Sequence, residues 1–151
     1  MNDFMAQAIY EAKLAYDLDE VPIGAVVVKD GEIIGRGHNL RETRKDPTLH
    51  AEMIAIHEAA QKLGSWRLTG CHIYVTIEPC PMCAGAMLQA RMERLVYGSR
   101  DIKAGCAGSL YNLLQDFRFN HRVEIEEGIM EEECSKLMKD FFKEILHKLG
   151  T

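Results

Sequence analysis

Residues 71–89 run Cys71-His72-Ile73-Tyr74-Val75-Thr76-Ile77-Glu78-Pro79-Cys80-Pro81-Met82-Cys83-Ala84-Gly85-Ala86-Met87-Leu88-Gln89. The apolar, β-branched opening predicts a strand over 71–76. Glu78-Pro79 ends it, because a residue before proline is pushed away from helical geometry. Pro81 suits a first helical turn, where its missing N–H has no partner to lose, and a helix follows over 80–89. Strand, tight turn and helix in this order form one unit of a layered α/β domain. Cys80 and Cys83 stand three apart, so both sulfurs fall on one face at the start of that helix. Glu78 is expected to anchor the turn by hydrogen bonds rather than to do chemistry.

Upstream, Ala51, Ile54, Ala55, Glu58 and Ala59 recur at helical spacing over 50–63, with Thr48 as the expected N-cap. The run Ala25-Val26-Val27-Val28 predicts a strand buried on both faces. Asp30-Gly31 supplies the positive φ angles of a tight hairpin, so a return strand over 33–38 lies antiparallel to it. Phe4, Ala8, Ile9, Ala12 and Ala15 mark an amphipathic helix over 3–16, capped by Asn2 or Asp3. Downstream come a fourth strand over 94–98, a glycine-containing loop over 100–108 and a short helix over 109–114. A fifth strand over 123–125 leads to a closing helix over 130–149, where Met130, Cys134, Leu137, Met138, Phe141, Ile145 and Leu149 keep helical spacing. No repeat, low-complexity stretch or linker interrupts this alternation, so 1–151 reads as one α/β domain.

His50 and Glu52, at the start of the helix over 50–63, add chemistry to the cysteines. One imidazole and two thiolates suit Zn²⁺, a borderline-soft ion. Three protein ligands leave a fourth tetrahedral position open to water, the mark of a catalytic rather than a structural site. Zinc lowers the pKa of a bound water from about 16 to about 7. Glu52, two residues past His50, is placed to reach over the metal without ligating it, as a general acid/base. The competing arrangement is a closed structural site completed by His57, His72 or Cys71. A redox-active cysteine pair would leave His50 and Glu52 without a role. His57, two turns beyond His50, is read as a packing or surface residue. H-x-E followed by P-C-x-x-C is the signature of zinc-dependent nucleobase deaminases, whose chemistry is established for the adenine-acting members.

Composition narrows the class. With 47% hydrophobic and 27% charged residues, the chain can bury a sizeable core as an ordinary globular domain. No basic-then-apolar N-terminal run and no apolar stretch of membrane-spanning length stand in the sequence, so a cytoplasmic protein without a membrane partner is expected. Of five cysteines, Cys71, Cys106 and Cys134 are left over and are expected as small buried hydrophobes in a reducing compartment. A net charge of −5 argues against a general nucleic-acid binder. The charge is uneven, however. Arg36, Arg41, Arg44 and Lys45 accompany the single acid Glu42 over 36–45, whereas 124–133 hold six glutamates and no base.

Further motifs run nearly end to end: Val21-Pro22-Ile23-Gly24-Ala25, His38-Asn39 ahead of Asp46-Pro47-Thr48, Arg100-Asp101 with Lys103, Gly105, Gly108-Ser109-Leu110, and Asn120-His121-Arg122-Val123. With them the chain resembles the bacterial tRNA-specific adenosine deaminases of the cytidine-deaminase-like superfamily. Leu49 departs from the pattern, being bulkier than the small residue expected before the metal histidine. The resemblance implies a three-layer α/β/α fold around a five-stranded mixed sheet whose first two strands are antiparallel. It implies one Zn²⁺ per subunit, a homodimer with each site near the subunit interface, and hydrolysis of adenosine to inosine at the wobble position of the tRNA anticodon. His50, Cys80 and Cys83 are then the metal ligands and Glu52 the proton donor and acceptor. Asn39 contacts the base edge with the Ala51 backbone against it, and Asp101, Lys103 and Asn120 lie near the flanking nucleotides of the anticodon arm.

Several residues keep two readings. The amide of Asn39 can read a base by donating and accepting at once, but more commonly such a residue satisfies loop backbone groups. Arg41 and Arg44 are phosphate candidates or simply a solvated loop. Phe142 is a stacking candidate for RNA, whereas Phe141 is expected in the core. A guanine, cytidine or deoxycytidylate deaminase would share the metal site, and only the loops over 39–47 and 100–123 argue against it. From a different class, a zinc-stabilised binding module would have no turnover at all.

Overall fold

Asp30 and Gly31 adopt φ of 49° and 79°, the left-handed pair that a tight hairpin needs. They join β1 (Gly24–Lys29) to β2 (Glu32–His38), antiparallel as expected. The computed structural model describes residues 2–150; Met1 and Thr151 lie outside them. The remaining elements are α1 (Asn2–Asp17), α2 (Arg41–Arg44), α3 (Ala51–Leu63), β3 (His72–Ile77), α4 (Pro81–Gln89), β4 (Arg94–Ser99), β5 (Glu124–Glu126) and α5 (Glu131–Gly150).

The five strands form one mixed sheet in the order β2-β1-β3-β4-β5. β1 is antiparallel to both β2 and β3, while β3, β4 and β5 run parallel. Successive residues of a strand face opposite sides, and both sides are buried here. Ala25, Val27, Ile73, Val75, Leu95 and Tyr97 face α3 and α4, where Ala51, Ala55, Ala59, Cys83, Ala84 and Met87 meet them. Val26, Val28, Tyr74 and Val96 face α1 and α5, against Met5, Ala8, Ile9 and Cys134. This is the three-layer α/β/α architecture that the resemblance implied. Cys71, Cys106 and Cys134 are buried free thiols, and Phe141 sits in the core while Phe142 is exposed.

α3 lies unusually close on β2. A Cβ on Gly35 would stand 2.2 Å from the Ala55 carbonyl oxygen, and one on Gly37 2.6 Å from that of Ala51. The buried face of α3 is correspondingly small: Ala51, Ala55 and Ala59, with Glu52. Glu58, anticipated on that face, is exposed. Since the start of α3 carries His50, these glycines also fix the site. Gly35→Ala is expected to lower unfolding free energy by about 3 kcal/mol, because the obstacle is backbone rather than a movable side chain. Urea denaturation measures it, and an unchanged midpoint would contradict this packing account.

Three local expectations are corrected. Residues 109–112 form no helix; an Ala107–Asn112 bridge precedes a single 3₁₀ turn at Leu113–Gln115, which takes in only the last two residues of the expected helix. The Gly108 N–H bonds forward to the Tyr111 carbonyl and the Leu113 N–H back to the Cys106 carbonyl, which closes a loop in place of a helical ladder, and Glu78 holds Ser109 within it through both its N–H and its hydroxyl. Thr48 does not cap α3, because its N–H and hydroxyl both bond to Asp46 Oδ1. Asn2 lies inside α1 rather than before it. The loop over 40–47 also contains the short α2, ended by Lys45 at φ 53°.

Candidate active site

Parallel strands β3 and β4 end together, with Ile77 opposite Ser99. Crevices at the carboxyl ends of parallel strands are where open α/β sheets bind ligands. Immediately past β3, Cys80 is the N-cap of α4, Pro81 opens the helix and Cys83 lies in its first turn. Across from them, His50 is the N-cap of α3. Both helix N-termini therefore face the same spot, and their positive dipole ends favour thiolates there.

His50 Nδ1 stands 3.5 Å from Cys80 Sγ and 3.6 Å from Cys83 Sγ. All three ligand atoms lie within 4.8 Å of one another, and no other such group converges among the described residues. Zinc bonds of about 2.0 Å to nitrogen and 2.3 Å to sulfur in a tetrahedron require N-to-S edges of about 3.5 Å. The side chains are already spaced for that ion. The protons tell the same story. The Cys83 thiol and the His50 imidazole hold Cys80 down to about 4, while the Cys80 thiolate and burial push Cys83 up. The hydrogen bond to Cys80 raises His50. A divalent cation at the centre replaces these shared protons, since a coordinated thiol is deprotonated outright. The alternative fourth ligands are elsewhere: His57 is exposed, His72 pairs with Glu93 at 3.0 Å, and Cys71 is buried in the core.

Glu52 contributes no ligand atom to this group. It sits in the first turn of α3, 4% exposed. Burial pushes its carboxyl up to about 7, the range in which one group can both take and give a proton near neutrality. Asn39 is buried at the end of β2, and its Oδ1 accepts the Ala51 N–H at 2.8 Å. It thus satisfies the first free N–H of α3, a role that the sequence had suggested for Thr48. This is the backbone-satisfying role, and the bond uses only the side-chain oxygen. His50, Glu52, Cys80, Cys83, Asn39 and Ala51 are therefore gathered at one place.

The loop after β4 flanks that place. Glu78 accepts four hydrogen bonds, from Asp101 N, Ala107 N, Ser109 N and Ser109 Oγ. Burial works to raise this carboxyl, but those donors outweigh it and hold it below its ordinary value. Gly105 makes the approach possible, since a Cβ there would be 2.3 Å from the Glu78 Cδ. Asp101 accepts the N–H groups of Lys103 and Ala104, and Lys103 is exposed. Asn120 is not brought to the cluster within this chain. It precedes β5 at the other end of β4, where neighbouring His121 bonds to the Met92 carbonyl. On the opposite rim, Arg41 and Arg44 are exposed on α2. Glu20, for which the sequence suggests no role, bonds to that helix: it is buried and contacts Glu42 and Thr43.

Metal-assisted deaminases of the cytidine-deaminase-like fold are built in this way. A model of the MafB19-like deaminase family matches residues 1–145. The tRNA-specific adenosine deaminase of Bacillus subtilis (strain 168) is 54% identical over 145 residues, 96% of this chain and 90% of that protein. That of Aquifex aeolicus (strain VF5) is 44% identical over 146 residues, 97% and 96% of the two chains. A structure solved in studies of A-to-I editing by tRNA:A34 deaminases at the wobble position of transfer RNA superposes with a TM-score of 0.87. It is 41% identical, over 91% of this chain and 99% of its own. The chain belongs to the tRNA-specific adenosine deaminases, which are hydrolytic enzymes.

Proposed function

We propose that residues 1–151 form one deaminase domain that converts adenosine to inosine at the wobble position of the tRNA anticodon. His50, Cys80 and Cys83 hold one Zn²⁺ per subunit, and Glu52 moves the protons. The observation that carries the assignment is a buried carboxyl, Glu52, in the first turn of α3 beside the convergent ligand atoms of His50, Cys80 and Cys83. Zinc bound there would supply an acidified water for attack at C6 of adenine. Glu52 accepts a proton from that water and delivers it to N1, which makes C6 electrophilic. Once the C6–O bond has formed, Glu52 takes the remaining hydroxyl proton from that oxygen and carries it to the exocyclic amino nitrogen. The C6–N bond then breaks, leaving the C6 carbonyl, so water is consumed and ammonia released. Asn39 Nδ2 and the Ala51 backbone orient the base.

The anticodon loop presents its bases unpaired, which removes most of the cost of extruding one from a duplex. Asp101 and Lys103 serve the flanking nucleotides, and Phe142, exposed beside that loop, offers a stacking face. Asn120 joins them through a longer stretch of RNA or through a second subunit. A homodimer is supported by the outer face of α3 and α4, where Met53, Ile56, Ala60 and Ala86 line a concave surface with Trp66, itself 60% exposed. No helix among the described residues is long and apolar enough to cross a membrane, and we place the enzyme in the cytoplasm with its substrate.

The test is inosine and ammonia formation on an anticodon stem-loop carrying wobble adenine, with free adenosine, guanine and cytidine in parallel. Turnover confined to the stem-loop is expected. Turnover on a free base or nucleoside alone would move the enzyme to a neighbouring specificity and leave the metal centre as described.

A further inference from the structure

α2 contributes nothing to the core. None of its four residues is buried, and a helix of one turn has no stability of its own. Yet it is held by a buried carboxylate on another segment. Glu20 is 2% exposed. Its Oε1 accepts the Glu42 N–H at 3.2 Å, and its Oε2 accepts both the Thr43 N–H and the Thr43 hydroxyl at 2.6 Å. Burial alone would raise this carboxyl, but the Thr43 and Glu42 donors and nearby Arg41 hold it below its ordinary value. It is therefore a charged anchor, and charge-assisted hydrogen bonds of this kind are the strong ones.

What the anchor presents is basic. Arg41 and Arg44 are exposed, and among the described residues neither guanidinium is ion-paired. The arm also springs from the site itself. Leu40 N–H bonds to the Leu49 carbonyl one residue before His50, and Asn39 bonds to Ala51 one residue after it. Buried anchor, exposed unpaired arginines and a base tied to the metal histidine lie on one continuous segment.

We infer that Glu20 is a positioning residue for the RNA substrate: by fixing the start of α2 it holds Arg41 and Arg44 where they meet the phosphates beside the bound adenosine. This rests on the RNA reading given above. Pre-ordering matters because a binding partner otherwise has to immobilise two long side chains and the turn that carries them. The anchor acts on binding and leaves the proton chemistry at Glu52 alone.

The test is steady-state kinetics on the anticodon stem-loop for wild type, Glu20→Gln, Arg41→Ala/Arg44→Ala, the triple variant and Thr43→Val. Glu20→Gln keeps the shape but puts an amide N–H₂ against N–H donors. It is expected to raise KM about tenfold with kcat within about twofold, the pattern of weakened uniform binding. Arg41→Ala/Arg44→Ala should raise KM similarly, and its log–log salt dependence should flatten by about one for each phosphate left without its arginine. The triple variant should show little more than the arginine pair alone. Thr43→Val should raise KM about threefold, since it removes one hydrogen bond to Glu20. The inference is overturned if Glu20→Gln leaves KM unchanged, or if its effect multiplies fully with that of the arginine pair, as a general loss of stability would. Should Glu20→Gln not fold, an unchanged KM in Thr43→Val overturns it equally. Absence of stem-loop turnover by the wild-type enzyme would instead overturn the RNA reading itself.

Discussion

Glu52→Ala is expected to lower turnover on a wobble-adenine stem-loop by about 10³-fold, with the fold and the zinc content intact. The chemistry asks one group to take a proton from water and give protons to two nitrogens in succession. Only a residue whose pKa lies near the working pH does both well. Burial brings Glu52 to about 7, and its place in the first turn of α3 sets it beside the ligands without making it one. Alanine at this position is a good helix former, so α3 need not unravel. Glu52→Gln separates shape from protonation, since it fills the same space and carries no exchangeable acid. Single-turnover assays with metal analysis of the same samples decide the matter. Substantial remaining activity in either variant would remove Glu52 from its role, and loss of zinc in both would show that it belongs to the coordination sphere.

The parts of this molecule that the sequence made legible are those governed by near neighbours. A continuous β-branched run placed β1, helical spacing of apolar residues placed α1, α3 and α5, and Pro81 after Glu78-Pro79 placed the start of α4, all signals that act within a few residues. The metal group was legible for the same reason: His50 with Glu52 and Cys80 with Cys83 are local pairs, and their residue types admit few ions. Glu78 reads as an anchor from its place before Pro79, but its partners Asp101, Ala107 and Ser109 lie 23, 29 and 31 residues further on. What stayed hidden is contact across long separations. Asn39, twelve residues away, meets the free N–H at the start of α3, so the local candidate Thr48 was free to bond elsewhere. Residues 109–114 carry helix-compatible side chains, yet Glu78 captures Ser109 from 31 positions upstream. The clamp from Glu20 to Thr43 spans 23. Tertiary hydrogen bonds to a buried carboxylate override weak local preference in the last two cases. All three contacts lie on the rim of the site, where loops are positioned by the scaffold rather than by their own sequence.

Chelation of the wild-type enzyme is expected to abolish deamination and to lower Tm by about 10 °C, both restored by added zinc. The size follows from linkage. An ion bound about 1,000-fold above its Kd stabilises the folded state by about 4 kcal/mol, and in a domain of this size each kcal/mol moves Tm by about 2–4 °C. Activity should fall much further than stability. Without the ion, Glu52 would have to deprotonate a water of pKa about 16, and lowering that pKa to about 7 is the ion's main service. The apo protein should nevertheless stay folded at room temperature, because the core on both faces of the sheet is built without the metal. That separates a catalytic centre from a structural one, whose loss unfolds small metal-dependent domains outright. Cys83→Ala provides the genetic counterpart. It removes a fully buried thiol of the proposed ligand set, so zinc content and turnover should vanish together and added zinc should no longer restore them. Calorimetry and metal analysis across the two preparations read both quantities. Full activity in metal-free enzyme would dismiss the zinc mechanism. Collapse of the apo fold would instead make His50, Cys80 and Cys83 primarily a clasp between α3 and α4, with catalysis a secondary use of it.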